Sequence, residues 1–132
     1  MKYLVFVIVL ILGAALWVRV APSNPDRWHK ELKTPIDQVL PGGVVRVLEG
    51  RSDQLSALRA LMSETPRTKL LKETEAGYTF VTRSLLWGFP DYATVWTRGD
   101  DLVIYSRLRF GGGDMGVNAK RVDDWIAALP TP

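Results

Sequence analysis

Ser106, Arg107 and Arg109 are followed by Gly111-Gly112-Gly113-Asp114-Met115-Gly116, and then by Asn118, Lys120 and Arg121. Four cations around one carboxylate can do one of two things. They can converge on an outside anion through charge-assisted hydrogen bonds. Alternatively, Asp114 serves as the internal counter-ion of Arg107 and Arg121, and the motif is a structural latch. Lys120 and Arg121 fall in the first turn of a helix, where the macrodipole disfavours cations by roughly 0.3–1 kcal/mol each. A carboxylate over that helix end, which Asp114 can supply, offsets this. The glycine run also matches the dinucleotide pattern G-x-G-x-x-G. Only 16 residues follow Gly116, too few for a second parallel strand, and Asp114 would face any phosphate, so a nucleotide fold is rejected.

Other reactive groupings are thin. Asp123 and Asp124 are neighbours on a helix and point about 100° apart, which rules out an acid–base pair. Asp91 and Asp114 can be brought together by the fold, and they are the one carboxylate pair on which an enzyme could be built. His29 is the only histidine and there is no cysteine, so neither a zinc site nor a Ser-His-Asp arrangement is expected. No cofactor or metal motif is present.

The elements that carry these residues are read from periodicity. Leu102, Ile104, Ser106, Leu108 and Phe110 alternate with Val103, Tyr105, Arg107 and Arg109, which predicts a strand over 101–110. The glycines end it, and Asn118 is expected to cap a helix in which Val122, Trp125, Ile126 and Leu129 recur at helical spacing. Upstream, strands are expected at 44–48, 67–73, 78–86 and 91–98, and a helix at 52–62. The 67–73 strand is rich in Lys and Arg, as edges are. The order β-α-β-β-β-β-α reads as an α+β fold with an antiparallel sheet of about five strands and its helices on one face.

If Gly99-Asp100 is a two-residue turn, Trp96 opposes Val103, Thr94 opposes Tyr105, and Tyr92 opposes Arg107. Ala93, Val95, Leu102, Ile104, Leu108 and Phe110 then form the core face. Tyr92, Trp96, Tyr105, Arg107, Arg109 and, in a neighbouring register, Arg83 share the other. An aromatic-and-arginine face left open has the composition of a binding surface.

The run YSRLRFGGGDMGVNAKRV, with GFPDYATVW before it, resembles the family catalogued as domain of unknown function 1499. The matching positions are Ser106, Arg107, Gly111, Asp114, Gly116, Val117, Asn118, Lys120 and Arg121. The resemblance covers roughly 78–129 well and implies a bacterial, membrane-associated protein. It brings no established activity. Many members carry cysteines before the domain; this chain has none.

The chain is uncharged from Tyr3 to Val18, and a membrane span needs about 20 apolar residues. Residues 1–21 are therefore read as a single-pass transmembrane anchor or, given Gly13-Ala14-Ala15, a cleaved signal peptide. Lysines and arginines after the segment favour a cytoplasmic domain. The short basic start at Lys2 and the family resemblance favour the periplasmic side of an inner membrane, which is the location adopted. Without Lys2 and Arg19 the chain keeps 15 basic and 14 acidic residues, so no nucleic-acid-binding field is present. Pro22–Gly43 is a linker or arm broken by Pro and Gly, in which Trp28 is an interfacial or packing anchor. Residues 44–132 are the domain. The expected function is a membrane-anchored accessory or binding module for an anionic ligand or lipid headgroup. The alternatives are a docking scaffold for an envelope protein and an enzyme using Asp91 or Asp114.

Overall fold

The apolar run near the N-terminus has no charge to interrupt it, and Lys2–Val20 forms one helix, α1, of 19 residues. None of them is buried, and the helix is long and apolar enough to cross a membrane. An anchor and a signal sequence share that length and composition. The structure, a computed structural model describing residues 1–132, continues into a short helix, α2 (Pro25–Trp28). Asn24 caps it by accepting from the Asp26 N–H at 2.9 Å, and Pro25 sits where its missing N–H costs nothing.

Six strands follow: β1 (Gln38–Leu40), β2 (Gly43–Leu48), β3 (Thr68–Glu73), β4 (Gly77–Arg83), β5 (Pro90–Arg98) and β6 (Asp101–Leu108). They form one antiparallel sheet in the order β1-β2-β6-β5-β4-β3. The fold is α+β, with one strand more than expected. The extra strand, β1, pairs across the Pro41-Gly42 turn (Leu40↔Gly43) and is three residues long, too short for alternation to reveal. The Gly99-Asp100 turn fixes the β5–β6 register, with Trp96↔Val103, Thr94↔Tyr105 and Tyr92↔Arg107, as a two-residue loop requires.

A 3-10 turn (Ser52–Gln54) leads into α3 (Leu55–Glu64), which carries the chain from β2 across the sheet to β3 at the opposite edge. That crossing leaves β2 beside β6 and sets Gly43 opposite Arg107. The last helix, α4, spans Val117–Ala128. Leu58 and Met62 of α3 and Val122 and Trp125 of α4 pack on Val44, Phe80, Ala93, Val95, Leu102 and Ile104. Both helices thus lie on one face. The Trp125 indole, which would be costly to bury unbonded, donates to Thr65 Oγ1 at 2.8 Å.

The opposite face is not open. Tyr92 and Trp96 are buried, as is Arg107, because residues 22–37 lie across them. Leu32 and Leu40 pack on Val45, Trp96 and Val103, and the Trp28 ring stacks on Tyr92 with centroids 4.1 Å apart. Of the two readings of this stretch, linker or arm, the structure has the arm. Pro and Gly forbid a long helix there but do not forbid extended chain from packing.

The start of α4 also differs from expectation. Asn118 is not the cap; it lies wholly buried in the first turn, and Gly116 occupies the cap position at φ +77°. A Cβ on Gly116 would meet nothing within 4 Å, so its requirement is for backbone conformation, not space. Gly116→Val is expected to cost about 1–3 kcal/mol, and Gly116→Asn less, since Asn visits the left-handed region more readily. Chemical denaturation of the three proteins side by side checks this; a valine variant as stable as the parent would contradict it.

Candidate functional site

Two arrangements use the residues singled out above, one at each side of the β6 end. The first joins α4 to the sheet. Ser106 Oγ donates to Asn118 Oδ1 at 2.5 Å, and the Asn118 amide donates to Asp114 Oδ2 at 2.7 Å. Asp114 also accepts from the backbone N–H groups of Gly116 (3.0 Å) and Asn118 (2.9 Å), so it satisfies otherwise orphaned donors at the helix start. Burial pushes the Asp114 carboxyl up, but the bonds from Asn118 and Gly116 together outweigh that and hold it below the usual carboxylate range.

Asp114 reaches neither Arg107 nor Arg121. Arg107 lies on the arm side of the sheet, and Arg121 donates to Asn118 Oδ1 at 3.3 Å and to Asp91 Oδ2 at 3.5 Å. Of the two roles expected of Asp114, the carboxylate over the helix start is present and the counter-ion of Arg107 and Arg121 is not. Asp91 is shielded from solvent, and burial raises its carboxyl despite Arg121. Asp91 and Asp114 do line one open hollow of about 370 Å³ with Ser84, Phe89 and Val117 among its walls. Lys120 is exposed and pairs with Asp124 at 2.7 Å.

The second arrangement fastens the arm. Arg83 donates to the carbonyls of Gly88 (2.9 Å), Val18 (3.3 Å) and Ala21 (3.4 Å). Arg109 donates to the Pro22 carbonyl at 2.9 Å and to the Tyr92 hydroxyl at 3.3 Å. The Tyr92 hydroxyl in turn shares a 2.6 Å bond with Ser23 Oγ. Arg107 donates to Thr94 Oγ1 (2.8 Å), to the Tyr105 carbonyl (3.1 Å) and to the Trp28 carbonyl. Its guanidinium lies 4.6 Å from the Tyr105 ring centroid. His29 is spent on Thr79 Oγ1, 2.8 Å from Nδ1, and serves the same fastening.

Arg107 is thus buried among neutral acceptors with no carboxylate among its bonds. Burial pulls its guanidinium down to about 10. It opens on a pocket of about 540 Å³ between the arm, the β1–β2 turn and the glycine loop. The other charged residues lining that pocket are Arg27 and Lys30, and no acidic side chain does. Tyr105 supplies an aromatic wall, and at Gly111 and Gly112, where an added Cβ would meet nothing within 4 Å, the backbone on its rim is bare.

Of the residues proposed from sequence, Tyr105 and Arg107 line this pocket. Arg83, Tyr92 and Arg109 hold the arm, and Trp96 is in the core beneath it. Asp114, Asn118 and Arg121 belong to the α4 junction, and Lys120 to solvent. The sequence reading missed Arg27 and Lys30. Their signal was the run Arg27-Trp28-His29-Lys30, two cations flanking a ring that anchors them, in a segment read as a linker or arm.

A family model described as Protein of unknown function (DUF1499) matches residues 18–129. No curated protein and no solved structure matches the chain.

The Asp114 arrangement has a pH signature. A carboxyl held below its ordinary value of 3.8 in the folded state contributes stability that is full above that value and is lost as pH falls through the lower folded one. Asp114→Asn is therefore expected to cost about 1–2 kcal/mol at pH 7, the scale of a lost helix cap. The gap from wild type should close below pH 3.8. Denaturant titrations at neutral and acid pH read both; a gap independent of pH would assign the effect to shape, not charge.

Proposed function

The chain belongs to the DUF1499 family, and on that footing we propose that it is a membrane-anchored module that binds an anionic group, a phosphate or carboxylate, in the pocket in front of Arg107. The observation that carries this is a buried guanidinium without a counter-ion, facing a cavity whose remaining charges are Arg27 and Lys30. A cation withdrawn from water is costly unless a neighbour compensates it. Carbonyl dipoles and the Tyr105 ring do part of that. Three bonds use only some of the five N–H donors of a guanidinium, so donors remain for an incoming oxyanion. Gly111 and Gly112 present no side chain that would keep an anion from the rim of the pocket.

The reading places α1 in the bilayer and the domain at its surface, on the periplasmic side of a bacterial inner membrane, since Lys2 gives the short basic start typical of exported chains. A lipid headgroup and a soluble phosphorylated compound both supply the required oxyanion. The aromatic docking face has less support, because the arm already covers Tyr92 and Trp96. Catalysis by Asp91 and Asp114 has less support too: Asp91 already has Arg121 within 3.5 Å, and Asp114 is committed to the α4 start.

The test is a thermal-shift series on the full chain in detergent, with inorganic phosphate, glycerol phosphate and short-chain phosphatidylglycerol. A bound anion stabilises by about 2.7 kcal/mol at a hundredfold excess over Kd. The gain should shrink with added salt and be largely lost in Arg27→Gln/Lys30→Gln. Stabilisation by phosphatidylglycerol alone would select the lipid source. If no anion raises the Tm, or the double variant responds like wild type, the anion site is wrong.

A further inference from the structure

The segment Ser84-Leu85-Leu86-Trp87-Gly88-Phe89 joins β4 to β5, and its composition is wrong for a solvated connection. Leu85 is 78% exposed, Leu86 70%, Trp87 52% and Phe89 41%. No other stretch outside α1 exposes four large apolar side chains within six residues. Burial of that surface in apolar surroundings is favourable, and nothing in the domain covers it.

The loop is nevertheless well fixed, and what fixes it is α1. Trp87 and Phe89 share a wholly apolar hollow of about 320 Å³ with Ile11, Ala14, Ala15 and Val18. Arg19 donates to the Leu86 carbonyl, and its stem passes so close to Gly88 that a Cβ there would stand 3.2 Å from Arg19 Cγ. Gly88 takes φ +69°, a conformation that favours glycine whatever the space. The loop also bonds its own backbone: the Gly88 N–H reaches the Ser84 carbonyl at 3.1 Å, and the Ser84 N–H reaches the Phe89 carbonyl at 3.0 Å. Phe89 N–H donates to Ser84 Oγ at 2.9 Å, and Arg83 donates to the Gly88 carbonyl at 2.9 Å. These bonds tie the loop together at Ser84, Gly88 and Phe89. The N–H groups of Leu85, Leu86 and Trp87 bond to nothing within the chain, which suits the hydrated headgroup boundary and not the bilayer centre.

Depth follows from length. A helix of 19 residues is about 28 Å long, against about 30 Å of hydrocarbon in a bilayer. A spanning α1 therefore has no turns to spare, and its Ile11–Val18 stretch must lie within the apolar layer or at its boundary. Side chains packed on that stretch lie there too, down to about 13 Å from the helix end at 1.5 Å per residue. At the sheet side of the loop, Arg67, Lys69 and Arg83 line a shallow hollow with no acidic residue. Arg83 also bonds the Val18 and Ala21 carbonyls, so these cations stand at the end of α1, where lipid phosphates would be.

We infer that Ser84–Phe89 is a second membrane-inserted element, seated beside α1 at the headgroup–acyl boundary. Trp87 lies in the interfacial layer, and Leu85 and Leu86 face acyl chains. Anchor and wedge together set the tilt of the sheet relative to the bilayer, which one helix on a flexible tether would leave free. The inference rests on α1 being a retained bilayer anchor.

The chain has no cysteine, so single-cysteine labelling of the full protein is direct. Ile8→Cys, Leu85→Cys, Leu86→Cys and Glu75→Cys would each carry an environment-sensitive nitrobenzoxadiazole label, with the protein reconstituted in phosphatidylcholine/phosphatidylglycerol vesicles. Labels at 85 and 86 should emit blue-shifted light and be quenched by lipids spin-labelled near the headgroup. The label at 8 should be quenched by deeply spin-labelled lipids, and the label at 75, on the β3–β4 turn, by neither. Water-like emission at 85 and 86 with quenching at 8 would overturn the wedge and leave the anchor standing. An unquenched label at 8 would overturn both. In the unlabelled protein, Trp87→Phe should reduce the share of tryptophan emission quenched by brominated lipids; an unchanged share would count against the wedge even if a labelled variant folds poorly.

Discussion

Arginine against main-chain carbonyl is the contact on which the rest of this molecule depends. Arg83 at the end of β4, Arg107 in β6 and Arg109 just beyond it end on the carbonyls of Val18, Ala21, Pro22 and Trp28. A carbonyl is a weaker partner for a cation than a carboxylate, but it carries no charge of its own. Fastening the arm this way leaves positive charge unneutralised at the seam, where a carboxylate would have cancelled it. Arm attachment and an anion-attracting pocket are therefore two results of one choice of acceptor.

The glycine-rich signature divides between two jobs that only the fold separates. β6 alternates, so Ser106 faces the helices and Arg107 faces the arm although they are neighbours in sequence. Ser106, Asp114 and Asn118 form a chain of hydrogen bonds, buried at Ser106 and Asn118, that positions α4, and Arg121 extends it to Asp91. Arg107 belongs wholly to the other side. In the linear motif the two sets interleave and look like one cluster of cations around an aspartate.

Much of the architecture could be read from residues, because its strongest signals are local. The β3–β6 meander and the register after Gly99-Asp100 follow from alternation and one turn. But β4 ends at Arg83 where a strand to 86 was expected, β6 ends at Leu108 where one to 110 was expected, and Leu108 and Phe110 lie outside the core. What could not be read was long-range. Nothing in Val44–Leu48 announces that it will lie against β6, and nothing in Pro22–Asp37 announces that extended chain will cover a sheet face. The misplaced helix cap has a local cause of its own. Asn118 is a good capping residue by type, but a left-handed glycine and a carboxylate two residues earlier did that work instead. The pocket was half legible, since Tyr105 and Arg107 come from the meander while Arg27 and Lys30 come from the arm.

The place of β2 in the sheet has a consequence for how the molecule is made. Strands β3 to β6 can pair as they emerge, each with the one before it. β2 and the arm must wait for β6, the last strand synthesised. The bonds that close the structure join residues 79 and 87 positions apart, Trp28 to Arg107 and Pro22 to Arg109. Contacts of that separation carry the largest loop-closure entropy and form late. The earliest-made part of the domain is thus the last to be secured, and until then it stays extended, beside a helix that has already left the ribosome.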